Sequence, residues 1–225
     1  DGVRALRTDA RDVLVHYSLE SPLMWPADLD SVYMGEFELR WGYHRRLSLR
    51  PSAYFPIAPI ARLQRPVYSV GWRSKVHSRL LTTAVSNCHD YAGRSAYIRS
   101  LREALGAAFV NAGKCEKSVS RNDRTEIERR GLDRFVARGY FYLAIENANC
   151  ADYVTEKLGR ALIMGVVPVI FDAPTDRAAE PSSRVPGYAT FLPPRTYINI
   201  ADFATPAALG THLRKIARNR TLYES

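Results

Sequence analysis

The chain has 225 residues, of which 46% are hydrophobic, and its 32 basic and 23 acidic side chains give a net charge of +9. This length allows one large or two modest domains, and no window approaches the roughly 18 consecutive apolar residues of a membrane-spanning helix. The positive charge favours a polyanionic partner such as nucleic acid, anionic lipid or a phosphorylated substrate, although the basic residues are scattered along the chain.

Two strands are predicted in the first part of the chain. The apolar run "VLVHY", residues 13–17, predicts a buried strand that ends before Pro22, because proline forces the preceding residue into extended geometry. Glu20 then lies just beyond the carboxyl end of this strand. Alternating apolar side chains in residues 37–43, "FELRWGY", predict a second, half-exposed strand.

A linker follows in residues 58–77, "APIARLQRPVYSVGWRSKVH", where two prolines and mixed charge interrupt the pattern. We therefore expect an N-terminal domain over residues 1–75, incomplete at its start, and a C-terminal domain over residues 76–225.

Strands and helices alternate in the second domain, which predicts an α/β layer structure with a parallel sheet. The run "LLTTAVSN", residues 80–87, predicts a strand, and apolar residues at helical spacing predict a helix over residues 93–109. A basic, exposed segment then covers residues 121–130.

A second strand and helix follow in residues 140–171, "YFYLAIENANCADYVTEKLGRALIMGVVPVIF". The pattern predicts a strand ending near Asn147, a helix from about Thr155 to Met164 closing on Gly165, and then another strand. Further on, Thr205-Pro206 predicts the N-cap and first residue of one more helix.

Polar residues concentrate at the join between these two buried elements. Ligands of open α/β sheets bind at the carboxyl ends of the strands, where Glu146-Asn147 lies, and Thr155-Glu156-Lys157 falls in the first helical turn across the loop. A glutamate there can bind ribose hydroxyls and a lysine can neutralise a phosphate. The same residues also fit helix capping, and Asn147 and Tyr153 also fit a turn and a packing role.

The segment "YLAIENANCADYVTEKLGRALIMGVVPVIF" resembles the signature of the α1,3/α1,4-fucosyltransferases, glycosyltransferase family 10. The resemblance extends to "VSNCHDYAGRSAYIRSL", "GKC" and "TYINIADFATPAALGTHL", and toward the N-terminus to "LESP" and "LRWGYHRRLSLRPSAYFPI". It covers most of the chain from Leu19 to Leu213. In this chain Ile145 stands where the family has phenylalanine, and "YHRRLSL" lacks two acids of the family pattern.

The resemblance implies an α/β fold of GT-B type, with two Rossmann-like domains facing across a cleft. The implied enzyme is a glycosyltransferase that moves L-fucose from GDP-fucose, with inversion, to a hydroxyl of a glycan or glycoprotein acceptor, expected to be O3 of GlcNAc. It implies no required cofactor and no bound metal, while leaving room for stimulation by Mn²⁺.

The resemblance also assigns roles to individual residues. Glu20 would be the catalytic base, and the remaining positions would bind the donor: Arg94, Asn147, Tyr153, Glu156, Lys157, Tyr43, Arg45 and Arg46. Arg94 and Lys157 would hold the diphosphate, Glu156 the ribose or guanine side, and Tyr153 would pack on the nucleotide.

Three other functions compete with this interpretation. Asp28-Leu29-Asp30 has the D-x-D form of metal-dependent glycosyltransferases, but no apolar strand leads into it. The positive charge could serve a polyanion-binding module, although no RNA-binding signature is present and we expect no nucleic-acid partner. A domain that binds the donor without turnover is the third.

The compartment is inferred from the resemblance, which implies the Golgi lumen and, in the full-length protein, a type II membrane anchor that this chain does not contain. The sequon Asn219-Arg220-Thr221 is compatible with that compartment. The cysteines Cys88, Cys115 and Cys150 fit one disulfide and one free thiol, in which Cys115 could pair with either of the others, and they fit three buried thiols equally well.

Overall fold

The computed structural model of the protein describes residues 13–18, 37, 39–42, 66–150, 153–172, 188 and 192–225. The strands are β1 Val15–Ser18, β2 Leu39–Gly42, β3 Leu81–Thr83, β4 Phe109–Asn111, β5 Phe141–Leu143, β6 Val167–Ile170 and β7 Ile198–Asn199. The α-helices are α1 Arg94–Leu105, α2 Arg121–Arg130, α3 Leu132–Ala137, α4 Glu156–Met164, α5 Pro206–Ala217 and α6 Arg220–Glu224. Within these residues, no helix is both long and apolar enough to cross a membrane.

The C-terminal part is built on a five-stranded sheet with the order β4-β3-β5-β6-β7, in which all neighbours are parallel. Side chains of β5 alternate between its two faces: Phe141 and Leu143 pack with α1 and α5, whereas Tyr142 packs with α3 and α4. Because both faces are covered, the strands are apolar on both sides, as parallel sheets are. The predicted α/β layer structure with a parallel sheet is confirmed.

The strand order reverses between β3 and β5. The chain runs from β3 through α1 to β4 at the edge, and then returns past β3 to form β5 on the other side. Loops that leave neighbouring strands in opposite directions open a crevice at their carboxyl ends, which is where open α/β sheets bind ligands. The topology therefore selects the carboxyl ends of β3 and β5 as the place to look for a site.

Local signals place the helices of this part, with one correction: the helix predicted over residues 93–109 ends at Leu105, and Phe109 begins β4. In α1, Ile98, Leu101 and Leu105 are buried as predicted. The helix α4 ends at Gly165, which has a left-handed φ of 63°, and α5 begins after Thr205, whose hydroxyl accepts a hydrogen bond from the Ala208 amide at 3.1 Å. The basic segment 121–130 is largely exposed, as expected, but it forms the helix α2.

Among the described residues of the first part of the chain, β1 and β2 pair and run parallel. The strand in residues 13–17 is confirmed, but its predicted burial is wrong, since Val15 is 48% and Tyr17 55% exposed. An apolar run favours extended backbone whether or not another layer covers it. Several predicted residues lie outside the described ones: Glu20, Tyr43, Arg45, Arg46, Asp28 and Asp30.

Candidate functional site

A cavity of about 360 Å³ lies at the carboxyl ends of β3, β4 and β5, where the topology predicts a site. One wall is formed by residues 84–87 after β3 and by Ala112 and Gly113 after β4. All five predicted donor residues of the C-terminal part line it: Arg94, Asn147, Tyr153, Glu156 and Lys157. Residues that are up to 63 positions apart in the sequence are thus brought together.

Arg94 is the first residue of α1, and Asp90 fixes the start of that helix. The Asp90 carboxylate accepts hydrogen bonds from the backbone amides of Arg94 at 2.9 Å and Ser95 at 2.7 Å. Burial raises the pKa of Asp90, but these bonds outweigh it and the pKa lies below its usual value. Asp90 therefore stays ionised and replaces the missing side-chain cap of α1.

The Arg94 side chain is only 3% exposed. Its Nη2 donates to the Asn87 carbonyl at 2.7 Å and its Nη1 to the Ile145 carbonyl at 3.4 Å, while Nε has no hydrogen-bond partner among the described residues. Burial lowers the pKa of Arg94, and the charges of Glu146 and Asp90 oppose that effect. Arg94 also borders a second, more apolar cavity of about 330 Å³ next to the first.

Lys157 lies in a network with Glu146 and Thr155. Its Nζ is 2.9 Å from Glu146 Oε2, 2.8 Å from Thr155 Oγ1 and 3.1 Å from Glu156 Oε1. Burial lowers the pKa of Lys157, but the two carboxylates outweigh it and the pKa is raised. The lysine is therefore a permanent cation on the cavity wall, and all three of its N–H donors are in use.

The two glutamates beside Lys157 differ in exposure. The Glu146 side chain is 4% exposed and that of Glu156 43%. Burial raises the pKa of Glu156, but the Lys157 charge and hydrogen bonds to Thr155 and Lys157 together outweigh it and the pKa is lowered, so Glu156 is ionised. Glu156 is thus the acid that can turn toward a ligand, whereas Glu146 is held inside the protein.

Glu146, which the sequence analysis places at the strand end without giving it a specific role, holds the start of α4. Its Oε1 accepts the Thr155 backbone amide at 2.9 Å and the Thr155 hydroxyl at 2.8 Å. Capping of α4 by the Thr155 hydroxyl is therefore not what occurs; the hydroxyl donates to Glu146 instead. The signal was available in the sequence, since Glu146 stands beside Asn147 at a strand end, but its partner lies across the loop.

Asn147 and Tyr153 line the cavity from the loop between β5 and α4. They are 4% and 3% exposed. The Asn147 carbonyl accepts the Tyr91 amide at 2.7 Å, and Tyr153 packs beside Ala148 and Cys150. The loop between β5 and α4 is thereby held against the loop that precedes α1.

A disulfide joins Cys88 to Cys115, and Cys150 keeps its thiol. Of the pairings left open by the sequence, the structure therefore selects this one. Among the described residues no cluster of three or more His, Cys, Asp or Glu is placed to hold a metal ion.

The arrangement suits a ligand that is both anionic and rich in hydroxyl groups. Arg94 and Lys157 supply positive charge at low solvent exposure, where electrostatic attraction is stronger than in water. The nine-residue helix α4 begins at the same wall and adds the partial positive charge of its N-terminus. Glu156 and Asn147 supply acceptors and a donor for hydroxyl groups.

Comparison with known proteins gives consistent relatives. Residues 74–225 match the family model described as glycosyltransferase family 10 (fucosyltransferase) C-term. The chain is 30% identical over 215 residues to Alpha-(1,3)-fucosyltransferase B of Drosophila melanogaster, covering 92% of this chain and 46% of that protein. It is 28% identical to GDP-fucose protein O-fucosyltransferase 3 of Xenopus tropicalis over 80% of this chain and 36% of that protein. The chain thus spans less than half the length of these relatives.

The fold also has a solved counterpart, described as an alpha1,3-fucosyltransferase with GDP-fucose. The two superpose with a TM-score of 0.60 at 15% identity, over 96% of this chain and 66% of that one. This likeness bears on the fold and confirms the predicted α/β class of GT-B type. With its family model matched over residues 74–225, the chain belongs to glycosyltransferase family 10, the fucosyltransferases.

Proposed function

We propose that residues 76–225 bind GDP-fucose and that the protein transfers L-fucose, with inversion, to a hydroxyl group of an acceptor. The observation that carries this proposal is the pair of cations, the buried Arg94 and the partly buried Lys157, on the wall of the cavity at the strand-order reversal. As the glycosidic bond breaks, negative charge grows on the departing GDP. Fixed cations at that point stabilise the transition state without rearranging.

Donor binding requires an exchange of partners at Lys157. Its three donors are taken by Glu146, Thr155 and Glu156, so a phosphate oxygen must displace one of them. Glu156 is the most exposed of the three and the easiest to displace. In this scheme Glu156 turns from Lys157 to the ribose hydroxyls, while Glu146 and Thr155 keep the lysine in place.

The acceptor belongs to residues 1–75 in this proposal. Glu20 would remove the proton from the attacking hydroxyl, and Tyr43, Arg45 and Arg46 would line the donor cleft from that side; these four lie outside the described residues. The expected position is O3 of GlcNAc in a glycan. The Golgi lumen, a type II anchor in the full-length protein and independence from a cofactor are parts of the same proposal.

A protein acceptor is the second candidate. It is favoured by the relatives named GDP-fucose protein O-fucosyltransferase 3, among them that of Homo sapiens, 28% identical over 68% of this chain and 30% of that protein. In this alternative the attacking group is a serine or threonine hydroxyl of a polypeptide. The donor half of the mechanism is unchanged.

The donor site is tested by calorimetric titration of GDP, GDP-fucose and UDP in metal-free buffer at fixed moderate salt. We expect the wild type to bind GDP and GDP-fucose but not UDP. The double variant Arg94→Ala/Lys157→Ala should bind GDP about 100-fold more weakly or worse, because each charge-assisted hydrogen bond is worth about 1.5–3 kcal/mol.

The matched control is Arg124→Ala/Lys215→Ala, which removes the same two charges from exposed positions on α2 and α5. Equal weakening in both double variants would show a general charge effect and refute the site. Product analysis with a glycan and a peptide acceptor then separates the two candidates, with Glu20→Gln as the test of the base. The anomeric configuration of the product reports inversion.

A further inference from the structure

The disulfide between Cys88 and Cys115 closes a covalent loop around α1 and β4. The two cysteines are 27 positions apart in the sequence, and the enclosed segment contains Arg94. Neither cysteine is among the residues lining the first cavity. Any effect of the bond on a ligand must therefore pass through its neighbours.

On the Cys88 side, the neighbour is Asn87. Its carbonyl oxygen accepts the 2.7 Å hydrogen bond from Arg94 Nη2, which is shorter than the 3.4 Å bond from Nη1 to the Ile145 carbonyl. Because Asn87 belongs to a loop, the direction of its carbonyl depends on what holds that loop. The disulfide is attached at the next residue and thereby fixes the acceptor that orients the Arg94 guanidinium.

On the Cys115 side, the bond reaches the cavity wall. The Cys115 amide donates to the Val85 carbonyl at 2.9 Å, and the buried Asn111 side chain accepts from the amides of Val85 at 3.2 Å and Gly113 at 3.0 Å. A Cβ on Gly113 would lie 2.0 Å from the Val85 carbonyl oxygen, so the two loops are in direct contact. Val85 and Gly113 both line the cavity.

The residue after Cys115 ties the same loop to α1. The Glu116 carboxylate lies 2.7 Å from Arg99 and 3.7 Å from Arg102, both on the helix that begins with Arg94. The disulfide therefore stands at the junction of three parts: the loop after β3, the loop after β4, and α1.

We infer that the Cys88–Cys115 disulfide is a positioning element of the donor site, holding Asn87 and the cavity wall so that Arg94 meets the diphosphate, and that GDP affinity depends on the disulfide being intact. This inference rests on the proposed function. Reduction by dithiothreitol breaks the S–S bond and forms two thiols; the two electrons and two protons come from the dithiol, which closes to its own cyclic disulfide. Donor binding would then be tighter in oxidising compartments than in reducing ones.

The test uses the full chain in four states: oxidised, reduced with dithiothreitol, Cys88→Ser/Cys115→Ser, and that variant treated with dithiothreitol. For each state, GDP affinity is measured by calorimetry and folding by a thermal melt. We expect about tenfold weaker GDP binding in the reduced protein and in the variant, each with a cooperative melt, and no further effect of dithiothreitol on the variant. In an Arg94→Ala background, most of the tenfold effect of reduction should disappear.

The possible failures have different meanings. Reduced protein that melts cooperatively and binds GDP within twofold of the oxidised protein overturns the inference, because the bond then serves only stability. Loss of the cooperative melt on reduction overturns it as well, since the bond would then hold the whole domain together. Failure of the oxidised wild type to bind GDP overturns the proposed function itself.

Discussion

Two buried arginines lie at opposite ends of the strands of the five-stranded sheet. Arg79 lies at the amino end, just before β3, and Arg94 lies at the carboxyl end; they are 4% and 3% exposed. In each, Nε is without a hydrogen-bond partner in the described parts of the chain. By burial and by this orphaned atom, the two residues are indistinguishable.

The two arginines differ in their hydrogen-bond and ion-pair partners. Arg79 Nη2 pairs with Asp123 and Glu126, each at 2.9 Å, and its guanidinium stacks 3.6 Å above the Phe135 ring centre. Arg94 donates to two backbone carbonyls and borders a cavity. Arg79 is neutralised within the protein, whereas Arg94 keeps its charge available beside open space. Burial of a charge does not by itself mark a site; a charge facing a cavity at the strand ends does.

The largest effect that tests this difference between the two arginines is expected for the stability of Arg79→Met. Removing the buried member of this ion-pair network leaves Asp123 without its cation and Glu126 with Arg138 alone, and should lower the free energy of unfolding by about 3 kcal/mol. GDP affinity of the folded protein should not change. Urea denaturation and calorimetry measure the two quantities.

The matched control for this change is Arg124→Met, on the exposed face of α2, which should shift stability by no more than about 0.5 kcal/mol. A substantial loss of GDP affinity in folded Arg79→Met would break the distinction between the two arginines.

A third buried cation, Lys75, extends the comparison because backbone carbonyls, and not carboxylates, accept its hydrogen bonds. Its Nζ donates to the carbonyls of Gly139 at 2.8 Å and Ala137 at 3.2 Å, and burial lowers its pKa to about 8. An unfolded lysine titrates near pH 10.4. At Lys75, between these values, the unfolded chain binds more protons than the folded one, so the contribution of this residue to the free energy of unfolding should rise with pH, by about 2 kcal/mol from pH 8 to pH 10.

Urea denaturation across that range measures this contribution as the difference between two profiles: from pH 8 to pH 10 the wild type should gain about 2 kcal/mol relative to Lys75→Met, and the exposed Lys215→Met should follow the wild type. The difference is needed because buried tyrosines act in the opposite direction over the same range: burial raises the pKa of Tyr97 to about 12, and unfolded tyrosines already lose protons up to pH 10. Parallel profiles of the wild type and Lys75→Met would show that Lys75 stays charged in the folded protein.

Glu146→Gln tests whether the carboxylate beside Lys157 affects ligand binding, in contrast to the carboxylates beside Arg79. It replaces an acceptor of the Lys157 ammonium with an amide and weakens the hold on Thr155 at the start of α4, so we expect about tenfold weaker GDP binding as well as lower stability. The matched change beside Arg79, Glu126→Gln, should lower stability without changing GDP affinity. Unchanged or tighter GDP binding by Glu146→Gln would mean that Glu146 does not position Lys157.

Glu146 also shows where prediction from sequence stops. Gly165, Thr205 and the spacing of Ile98, Leu101 and Leu105 are local signals, and they place the helices correctly. The bond from Thr155 to Glu146 joins residues nine positions apart across a loop, and the Cys88–Cys115 bond spans 27 positions. Such contacts depend on how loops fold back on one another, which no local pattern encodes.

Short strands and helices were not predicted from the sequence for a different reason. The strand β4 has three residues and the helix α3 has six, fewer than a periodic pattern needs to be recognised. Residues that line the cavity at or just after these elements, such as Ala112, Gly113 and Leu132, were therefore not predicted. The five residues predicted to bind the donor could be placed on one cavity wall because they lie at one strand end and two helix starts, and because the family pattern marks them.

The smallest expected effect concerns Glu156, the more exposed of the two acids beside Lys157. If Glu156 turns to the ribose on binding, wild-type protein should bind GDP about five- to tenfold more tightly than 2′-deoxy-GDP, since one hydrogen bond contributes about 1 kcal/mol. Glu156→Gln, whose amide is a weaker acceptor, should bring the two affinities within about twofold, while the exposed Glu128→Gln on α2 should keep the preference. Calorimetric titration of both nucleotides against the three proteins measures this ratio. An unchanged ratio in Glu156→Gln would leave Glu156 as a partner of Lys157 alone, because a carboxylate that never leaves the lysine cannot read the ribose.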